Sequence, residues 1–211
     1  MTLLRVLILT WEYPPKRLGS VADHVFTLSH ELVKQGYEIE VLAEDDLNPG
    51  IEDVAGVHIH RVANPIKTHP NASLLTFAMT ASVAMEQEAS NIIYHCRKRG
   101  EKIDLVHAHE WLTISPAVTL KYAFNLPFII TLHSIEAHRC HGIFGPINIA
   151  IQEVESTGVQ ESAKVLTTTE WMKDEILKYY GENHRNKVQV LPPEGWVQKM
   201  KNIYGEVIKT S

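Results

Sequence analysis

The chain has 211 residues, of which 45% are hydrophobic and 21% are charged, so we expect a folded soluble protein and exclude wholesale disorder. A formal net charge of −5 disfavours a nucleic-acid-binding protein, which usually carries a basic patch or stripe. Two cysteines are too few for a disulfide framework, so we expect a reducing, cytoplasmic setting.

The amino-terminal residues predict a buried strand rather than a targeting segment. Leu3–Leu9 is a short apolar run that contains Arg5, and no small-residue cleavage site follows it. The other long apolar region, Leu74–Met85, is shorter than the ~20 residues that a membrane-spanning helix needs. We therefore expect neither a signal peptide nor a membrane span.

Apolar runs alternate with helical patterns along the whole chain. After Leu3–Leu9, the apolar runs predict strands at Tyr37–Ala43, Gly56–Val62, Asp104–Ala108, Phe128–Leu132, Lys164–Thr168 and Lys187–Leu191. The helical patterns predict helices over 21–33, Ser73–Arg99, Glu110–Phe124, Ile147–Glu161 and Glu170–Tyr180, and a short helix in the tail Gln198–Ser211. Between them, Asn48-Pro49-Gly50 reads as a turn, and Pro116 either kinks its helix or marks the true start. Strands separated by helices predict an α/β fold with a doubly wound, mostly parallel, Rossmann-like sheet.

Three loops follow the carboxyl ends of predicted strands, where doubly wound sheets bind their ligands. They are Thr10–Ser20, His107–Trp111 and His133–Pro146. All three are rich in polar, aromatic and glycine residues, so we expect the functional site at this edge of the sheet.

The residues of the first loop are typical of a phosphate-binding turn. Gly19 lets the backbone come close to a ligand just before a helix, whose N–H groups attract phosphate. Arg17 could add a cation to the same anion. The competing interpretation is a plain strand–helix turn, with Ser20 capping the helix and Arg17 in solvent.

The second loop carries two histidines with alternating spacing. His107 and His109 should face the same way at the end of a strand, and Trp111 should open the next helix. In a functional interpretation His109 donates to an oxygen-rich ligand while Trp111 stacks on a sugar face. In the structural alternative His107 is satisfied inside the sheet packing, Glu110 favours the helix start and Trp111 belongs to the core.

The third loop raises a metal hypothesis. His133, His138 and His141 lie within nine residues that also hold a glutamate and a cysteine. Their spacing lacks the regular ligand pairs of zinc sites, so we assign no metal ligand there. His133 differs from the others because it follows a buried strand, where a neutral imidazole can hydrogen-bond a bound substrate.

Other catalytic patterns are absent from the sequence. It contains no Ser-His-Asp order, P-loop or C-x-x-C motif. On the helix after the third loop, Glu153 and Glu155 are expected to lie on the solvated face.

In this order, the loops resemble the N-terminal domain of the GT-B glycosyltransferases, above all the glycogen and starch synthases and related sugar-nucleotide transferases. The segments that carry the resemblance are TWEYPP…RLGSVADHVFTLSHELVKQGYEIEVLA, DLVHAHEW, PFIITLHSIE and AKVLTTTEWMKDEI. They extend from about residue 5 to residue 191, nearly the whole chain.

The resemblance implies an enzyme of two Rossmann-like domains with its active site between them. The N-terminal domain of such enzymes chiefly binds the acceptor glycan, and the C-terminal domain binds a nucleotide sugar such as ADP-glucose or UDP-glucose, with no further cofactor. Residues 1–194 would form the acceptor-side domain, and residues 195–211 a tail or the start of an interdomain linker.

The resemblance also assigns roles to residues. It implies that His133 is the catalytic candidate near the transferring sugar. The implied substrate- and phosphate-binding candidates are Arg17, Gly19, Ser20, His109, Glu110, Trp111 and Glu136. Arg17 and Ser20 depart from the family's Lys-x-Gly-Gly loop, since arginine replaces the lysine and serine replaces the second glycine.

Three hypotheses follow. The first is the acceptor-side domain of a glycogen-synthase-like retaining glycosyltransferase, which binds an α-glucan or another glycan and helps to hold the diphosphate of the nucleotide sugar. Transfer would then need a C-terminal domain, on the same or a separate chain, so we expect these 211 residues alone to be inactive. The second is a stand-alone, non-catalytic carbohydrate- or nucleotide-binding module, and the third is a metal-dependent protein built on the His133–His141 loop.

Overall fold

A computed structural model of the chain describes residues 4–210. Its strands are β1 (Arg5–Thr10), β2 (Glu38–Glu44), β3 (Gly50–Val54), β4 (Val57–Val62), β5 (Leu105–His109), β6 (Phe128–Thr131), β7 (Lys164–Thr167) and β8 (Val188–Val190). Its α-helices are α1 (Val21–Lys34), α2 (Leu74–Lys98), α3 (Ile114–Phe124), α4 (Glu136–Arg139), α5 (Pro146–Glu161), α6 (Glu170–Tyr180) and α7 (Trp196–Thr210). Leu3, the predicted start of the first strand, and Ser211, the predicted end of the tail helix, lie outside the described residues.

All the strands join one sheet in the order β3-β4-β2-β1-β5-β6-β7-β8. Every neighbouring pair is parallel except β3 and β4. The chain moves outward from β1 in one direction to β2 and in the other to β5, so the topological switch point lies between β1 and β5. The predicted doubly wound, mostly parallel, Rossmann-like sheet is confirmed.

Helices cover both faces of the sheet. Along β1, Val6 and Ile8 belong to the cluster beneath α1 and α7, while Leu7 and Leu9 belong to the cluster beneath α2 and α3. A third cluster packs α5 and α6 on the same face as α3. Burial on both faces explains why β1 is a continuous apolar run rather than an alternating one.

The helix starts follow local chemistry. The side chain of Ser73 caps α2 by accepting from the backbone N–H of Thr76. Pro116 lies in the first turn of α3, where it interrupts no hydrogen bond, so it marks the start of the helix rather than a kink. The prediction that this helix begins at Glu110 is wrong, because 111–113 form a separate 3₁₀ turn.

Two short elements were not predicted. The turn at Asn48-Pro49-Gly50 runs directly into β3, whose five residues are all exposed and therefore carry no apolar pattern. Ala55 and Gly56, with φ of 51° and 82°, form the tight hairpin turn to β4. The four-residue helix α4 lies inside the segment predicted as a loop.

Helix α7 is part of the folded body. Met200, Ile203, Tyr204 and Val207 are buried in the cluster that also contains β1 and α1. The division at residue 194 remains a prediction. In the described part of the chain, no helix is both long and apolar enough to cross a membrane.

Candidate functional site

Three histidines meet at the switch point of the sheet. His109 is the last residue of β5, His133 follows β6 and His24 lies in the first turn of α1. The ring centroids of His24 and His133 are 4.6 Å apart, and that of His109 lies 5.8 Å from His24 and 6.0 Å from His133. The structure thus brings together His109 and His133, both predicted as site residues, with a third histidine that the sequence did not single out.

His109 is buried, His24 and His133 are partly buried, and each of the three has a buried ring nitrogen without a hydrogen bond among the described residues. His109 has no exposed surface, and neither of its ring nitrogens has a partner among the described residues. The same holds within residues 4–210 for Nε2 of His24 and Nε2 of His133. A buried polar atom without a partner is costly, so these nitrogens are available to hydrogen-bond water or a bound molecule.

Burial keeps the three rings neutral. It lowers the pKa of His133 to about 3, with a smaller contribution from the charge of His24. Burial likewise lowers the pKa of His24, and it places the pKa of His109 well below the usual range. Near neutral pH each ring therefore offers one donor and one acceptor nitrogen.

His107 is different from its neighbour His109. Its Nδ1 bonds the hydroxyl of Tyr204 and its Nε2 bonds the hydroxyl of Thr131, both at 2.8 Å. The structural interpretation of His107 as a histidine satisfied inside the packing is confirmed.

Glu110 lies beside the histidine cluster and has a strained backbone conformation. Its φ of 65° is uncommon for a residue with a side chain. One carboxylate oxygen accepts from the backbone N–H of His133 at 2.6 Å and of Ser134 at 3.3 Å. Burial raises the pKa of Glu110 to about 7, although the charge of Arg139 opposes the change. Glu110 therefore fixes the backbone that presents His133.

Glu136 is engaged within the protein. Its carboxylate accepts from Arg139 at 3.0 Å and from Asn148 at 2.7 Å, and it also contacts the Cys140 thiol. Any substrate contact by Glu136 would compete with these three side chains.

Beneath α4, Glu155 holds the loop in place. It has no exposed surface, so its predicted position on a solvated helix face is wrong. Its oxygens accept from the Glu136 backbone N–H at 3.0 Å, from Arg139 at 2.5 Å and from the Tyr180 hydroxyl. These three donors compensate the cost of burying a carboxylate.

Trp111 packs at the rim of the site. It is partly exposed, lies in the 3₁₀ turn after Glu110 and contacts the hydrophobic cluster beneath α5 and α6. The ring therefore combines a packing role with a partly open surface, and its stacking on a sugar remains a prediction.

In the Thr10–Ser20 loop, a carboxylate of the loop itself occupies the backbone N–H groups that were expected to bind phosphate. The carboxylate of Glu12 accepts from the backbone N–H of Gly19 at 2.8 Å and from that of Leu18. Arg17, whose side chain is 54% exposed, pairs with Asp23 at 2.9 Å. Ser20 occupies the N-cap position, but its side chain caps no backbone N–H, so that detail of the plain-turn interpretation is wrong.

The histidines of the third loop do not form a cluster of their own. His138 bonds Glu175 at 2.8 Å and His141 is exposed. Among residues 4–210, the single group of three or more potential metal ligands is His24, His109 and His133. The metal hypothesis built on the His133–His141 spacing therefore finds no support.

Four residues that matter here were missed in the sequence. Glu12 contacts Leu18 and Gly19 within its own loop, whereas His24, Arg139 and Glu155 act through contacts with residues distant in sequence. A signal existed for His24, because it lies four residues before the buried Leu28 and hence on the inner face of α1.

Sequence comparisons identify related proteins. Residues 21–193 match Glycosyltransferase Family 4. The chain is 31% identical to an uncharacterized glycosyltransferase of Methanocaldococcus jannaschii over 188 residues, which are 89% of this chain and 45% of that protein. It is 29% identical to a glycogen synthase of Mycobacterium tuberculosis over 187 residues, 84% of this chain and 45% of that protein. The chain thus spans about half the length of these relatives.

Solved structures show the same fold. A sucrose-phosphate synthase from Thermosynechococcus elongatus is similar with a TM-score of 0.68 and 14% identity, over 90% of this chain and 48% of that one. The catalytic domain of starch synthase IV from Arabidopsis thaliana, bound to ADP and acarbose, is similar with a TM-score of 0.59 and 15% identity, over 89% and 51% of the two chains. The fold matches the Rossmann-like half of the GT-B glycosyltransferases, as predicted.

Proposed function

The chain belongs to Glycosyltransferase Family 4, and from that premise we propose that it forms the acceptor-side half of a glycogen-synthase-like retaining glycosyltransferase. In this proposal it binds an α-glucan or a related glycan and helps to hold the diphosphate of a nucleotide sugar. A second domain, on the same or a separate chain, supplies the donor site. The coverage of only 45% of the glycogen synthase supports that division.

The observation that carries the proposal is the convergence of neutral, unpaired imidazoles at the switch point of the sheet. His109 and His133 present ring nitrogens without partners in the described chain, beside the strained backbone of Glu110. Sugar hydroxyls both donate and accept, so a neutral imidazole can bind them in either role. A charged ring would only donate and would repel a developing oxocarbenium ion.

His133 is the candidate closest in role to catalysis. Two backbone contacts to Glu110 hold the N–H groups of His133 and Ser134 in place, so the ring is oriented by the loop rather than by a ring hydrogen bond. Its Nε2 is therefore free to hydrogen-bond the transferring sugar. Fixed polar groups of this kind stabilise a transition state without reorganisation at the moment of reaction.

The Thr10–Ser20 loop is the candidate for the diphosphate. The backbone N–H groups of Leu18 and Gly19 already donate to the carboxylate of Glu12, so this turn can stabilise an anion. A bound diphosphate would displace Glu12 or extend the same anion site toward Arg17. Since Arg17 is half-exposed, its side chain can reach a phosphate without leaving a buried position.

Isothermal titration with a maltooligosaccharide and with ADP-glucose tests this proposal. We expect oligosaccharide binding by the wild type, and a loss of affinity of about tenfold in His133→Gln, the cost of one good hydrogen bond. His95→Gln is the matched control, because His95 is exposed near the end of α2. Equal binding by His133→Gln and the control would contradict the assignment of His133.

Turnover is a separate measurement. We expect no glucose transfer from ADP-glucose or UDP-glucose by the 211-residue chain alone. Robust transfer by this chain would contradict the need for a second domain.

A non-catalytic binding module is the second candidate. It is favoured by Arg17 and Ser20, which depart from the family's loop, and by the occupation of the Leu18 and Gly19 N–H groups by Glu12. Sugar binding without transfer, even after a C-terminal domain from a related synthase is added, would favour the module over the half-enzyme.

A further inference from the structure

We propose that Arg139 is a positioning residue for His133, because its guanidinium ties the loop after β6 to the two segments beside it. The inference rests on the function proposed above and adds to it the side chain that sets the geometry of the sugar-binding loop. Arg139 is the last residue of α4, the short helix inside that loop.

The guanidinium of Arg139 donates to groups from three segments of the chain. Nη1 bonds the Ser134 hydroxyl at 2.9 Å and lies 3.5 Å from a carboxylate oxygen of Glu110, which follows β5. Nε and Nη2 both bond one oxygen of Glu136, at 3.1 and 3.0 Å. Nη2 also bonds Glu155 on α5 at 2.5 Å. One side chain thus joins the end of β5, the loop after β6 and helix α5.

Two of these contacts adjoin the backbone of His133. One carboxylate oxygen of Glu110 accepts from the backbone N–H groups of His133 and Ser134, and the other faces Arg139. Ser134 is held twice, through its N–H by Glu110 and through its hydroxyl by Arg139. A displaced guanidinium would therefore release the peptide that carries His133.

The electrostatics of the loop depend on this one cation. The carboxylates of Glu110, Glu136 and Glu155 converge on the guanidinium, and Glu155 has no exposed surface. Burial alone would lower the pKa of Arg139, but these carboxylates outweigh burial and raise it, so the side chain stays charged. Without the cation, the carboxylates would face one another in a poorly solvated space, and the loop would have to open to admit water.

The arrangement requires a guanidinium rather than an ammonium. Arg139 uses all three of its side-chain nitrogens, whose N–H groups point in fixed directions in one plane. Lysine keeps the charge but presents a single nitrogen, so it cannot reproduce the contacts with Ser134 and with Glu136 together. Arg139→Lys therefore separates the geometry of these contacts from the positive charge.

Arg5 provides a matched control at the opposite edge of the sheet. It is a buried arginine at the start of β1, and its guanidinium pairs with Glu40 at 2.7 Å and with Glu101 at 3.1 Å. Arg5→Lys should lower the free energy of unfolding as Arg139→Lys does, but without a change near His133. Comparison of the two variants separates a loss of global stability from a change in the loop.

Hydrogen exchange on the 211-residue chain tests the positioning role without any sugar. In Arg139→Lys we expect exchange at the backbone N–H groups of His133 and Ser134 to quicken by about tenfold relative to those of β1. In Arg5→Lys this ratio should stay at the wild-type value. Arg139→Met removes the cation as well and should quicken exchange further, and where it fails to fold by circular dichroism, Arg139→Lys still gives the result.

NMR of the histidine rings gives a second reading of the loop. Burial lowers the pKa of His133 to about 3, so in the wild type and in Arg5→Lys its ring signals should not move between about pH 5 and 8. In Arg139→Lys the loop admits water, and the His133 ring should titrate within that range.

Titration with a maltooligosaccharide supplies the functional reading. We expect Arg139→Lys to bind it about tenfold more weakly than the wild type, since a displaced ring loses one good hydrogen bond, and Arg5→Lys to keep the wild-type affinity. Equal relative exchange at His133 and Ser134 in the two lysine variants would overturn the inference, and so would undiminished oligosaccharide affinity in Arg139→Lys. If the wild type binds no oligosaccharide, the proposed function fails, and the exchange rates still decide whether Arg139 positions His133.

Discussion

The imidazole of His107 on β5 and the hydroxyl of Tyr204 on α7 form a hydrogen bond of 2.8 Å in the core. Both side chains are fully buried. The bond ties the carboxyl-terminal helix to the strand that ends in His109, so α7 contributes to the position of the candidate site.

Tyr204→Phe removes the hydroxyl and leaves Nδ1 of His107 buried without its partner. We expect the free energy of unfolding to fall by about 1–3 kcal/mol, the usual cost of an unsatisfied buried group. Urea denaturation followed by circular dichroism measures the loss.

Tyr37→Phe is the matched control, because the Tyr37 ring packs 5.9 Å from that of Tyr204 but is only partly buried. Its effect should stay within about 0.5 kcal/mol. Equal losses in the two variants would contradict a specific contribution of the His107–Tyr204 hydrogen bond, because both substitutions remove only a hydroxyl.

The sheet was predictable because burial leaves a pattern in the sequence. β1 is apolar at every position of Val6–Leu9, since helices cover both of its faces. β3 left no such pattern, because its residues are exposed and its pairing with β4 depends on the hairpin turn.

The site was predictable where it depends on topology and not where it depends on side-chain contacts. His109 and His133 follow parallel strands, and the carboxyl-edge rule brings such residues together. Glu155 was assigned to solvent because carboxylates are rarely buried. Its burial requires Arg139 and Tyr180 as partners, which lie 16 and 25 residues away in sequence.

Gly158→Ala tests the contact between α5 and α3. A Cβ at this position would lie 2.5 Å from Cδ1 of Ile114, which is buried and cannot move freely. We expect a loss of about 1–3 kcal/mol in the free energy of unfolding, as for other overpacked cores.

Gly205→Ala, in α7, is the opposite case. An added Cβ would meet open space there, and alanine favours a helix interior over glycine. We expect a gain of about 0.5–1 kcal/mol in urea denaturation. If Gly205→Ala lowered stability as Gly158→Ala does, open space and helix propensity would not account for the effect of alanine at position 205.

His60 makes stability depend on pH. Burial alone would lower its pKa, but hydrogen bonds and charges of Glu40 at 3.0 Å and Glu88 at 3.2 Å outweigh burial and raise it. A raised pKa in the folded state gives stability that is complete below the unfolded value of about 6.5 and is lost as pH rises through the folded value.

The variant His60→Gln should therefore be less stable than the wild type by about 1.5 kcal/mol at pH 5, with a smaller difference at pH 8.5. Urea midpoints measured across this range, with His95→Gln as an exposed control, check the slope. A difference that grows with pH would contradict a charged His60 in the folded state.

Glu155→Gln tests the network that holds the loop after β6. The substitution keeps the shape of the side chain but removes the charge that faces Arg139 at 2.5 Å, and it disturbs the contacts with the Tyr180 hydroxyl and the Glu136 N–H. We expect a loss of about 2 kcal/mol in the free energy of unfolding, because Arg139 loses one of its carboxylate partners and the buried donors around residue 155 lose a charged acceptor. Hydrogen exchange should also quicken at the backbone N–H of Glu136, whose acceptor is this carboxylate.

Glu153→Gln changes an exposed carboxylate on the same helix and should alter stability by less than about 0.5 kcal/mol. Comparison of Glu155→Gln with Glu153→Gln separates the effect of the buried contacts from the effect of helix charge, since both variants remove one negative charge from α5. If Glu155→Gln lowered stability without faster exchange at Glu136, the network would support the core but not the loop. The orientation of His133 would then depend on Glu110 alone, through its contacts with the His133 and Ser134 N–H groups.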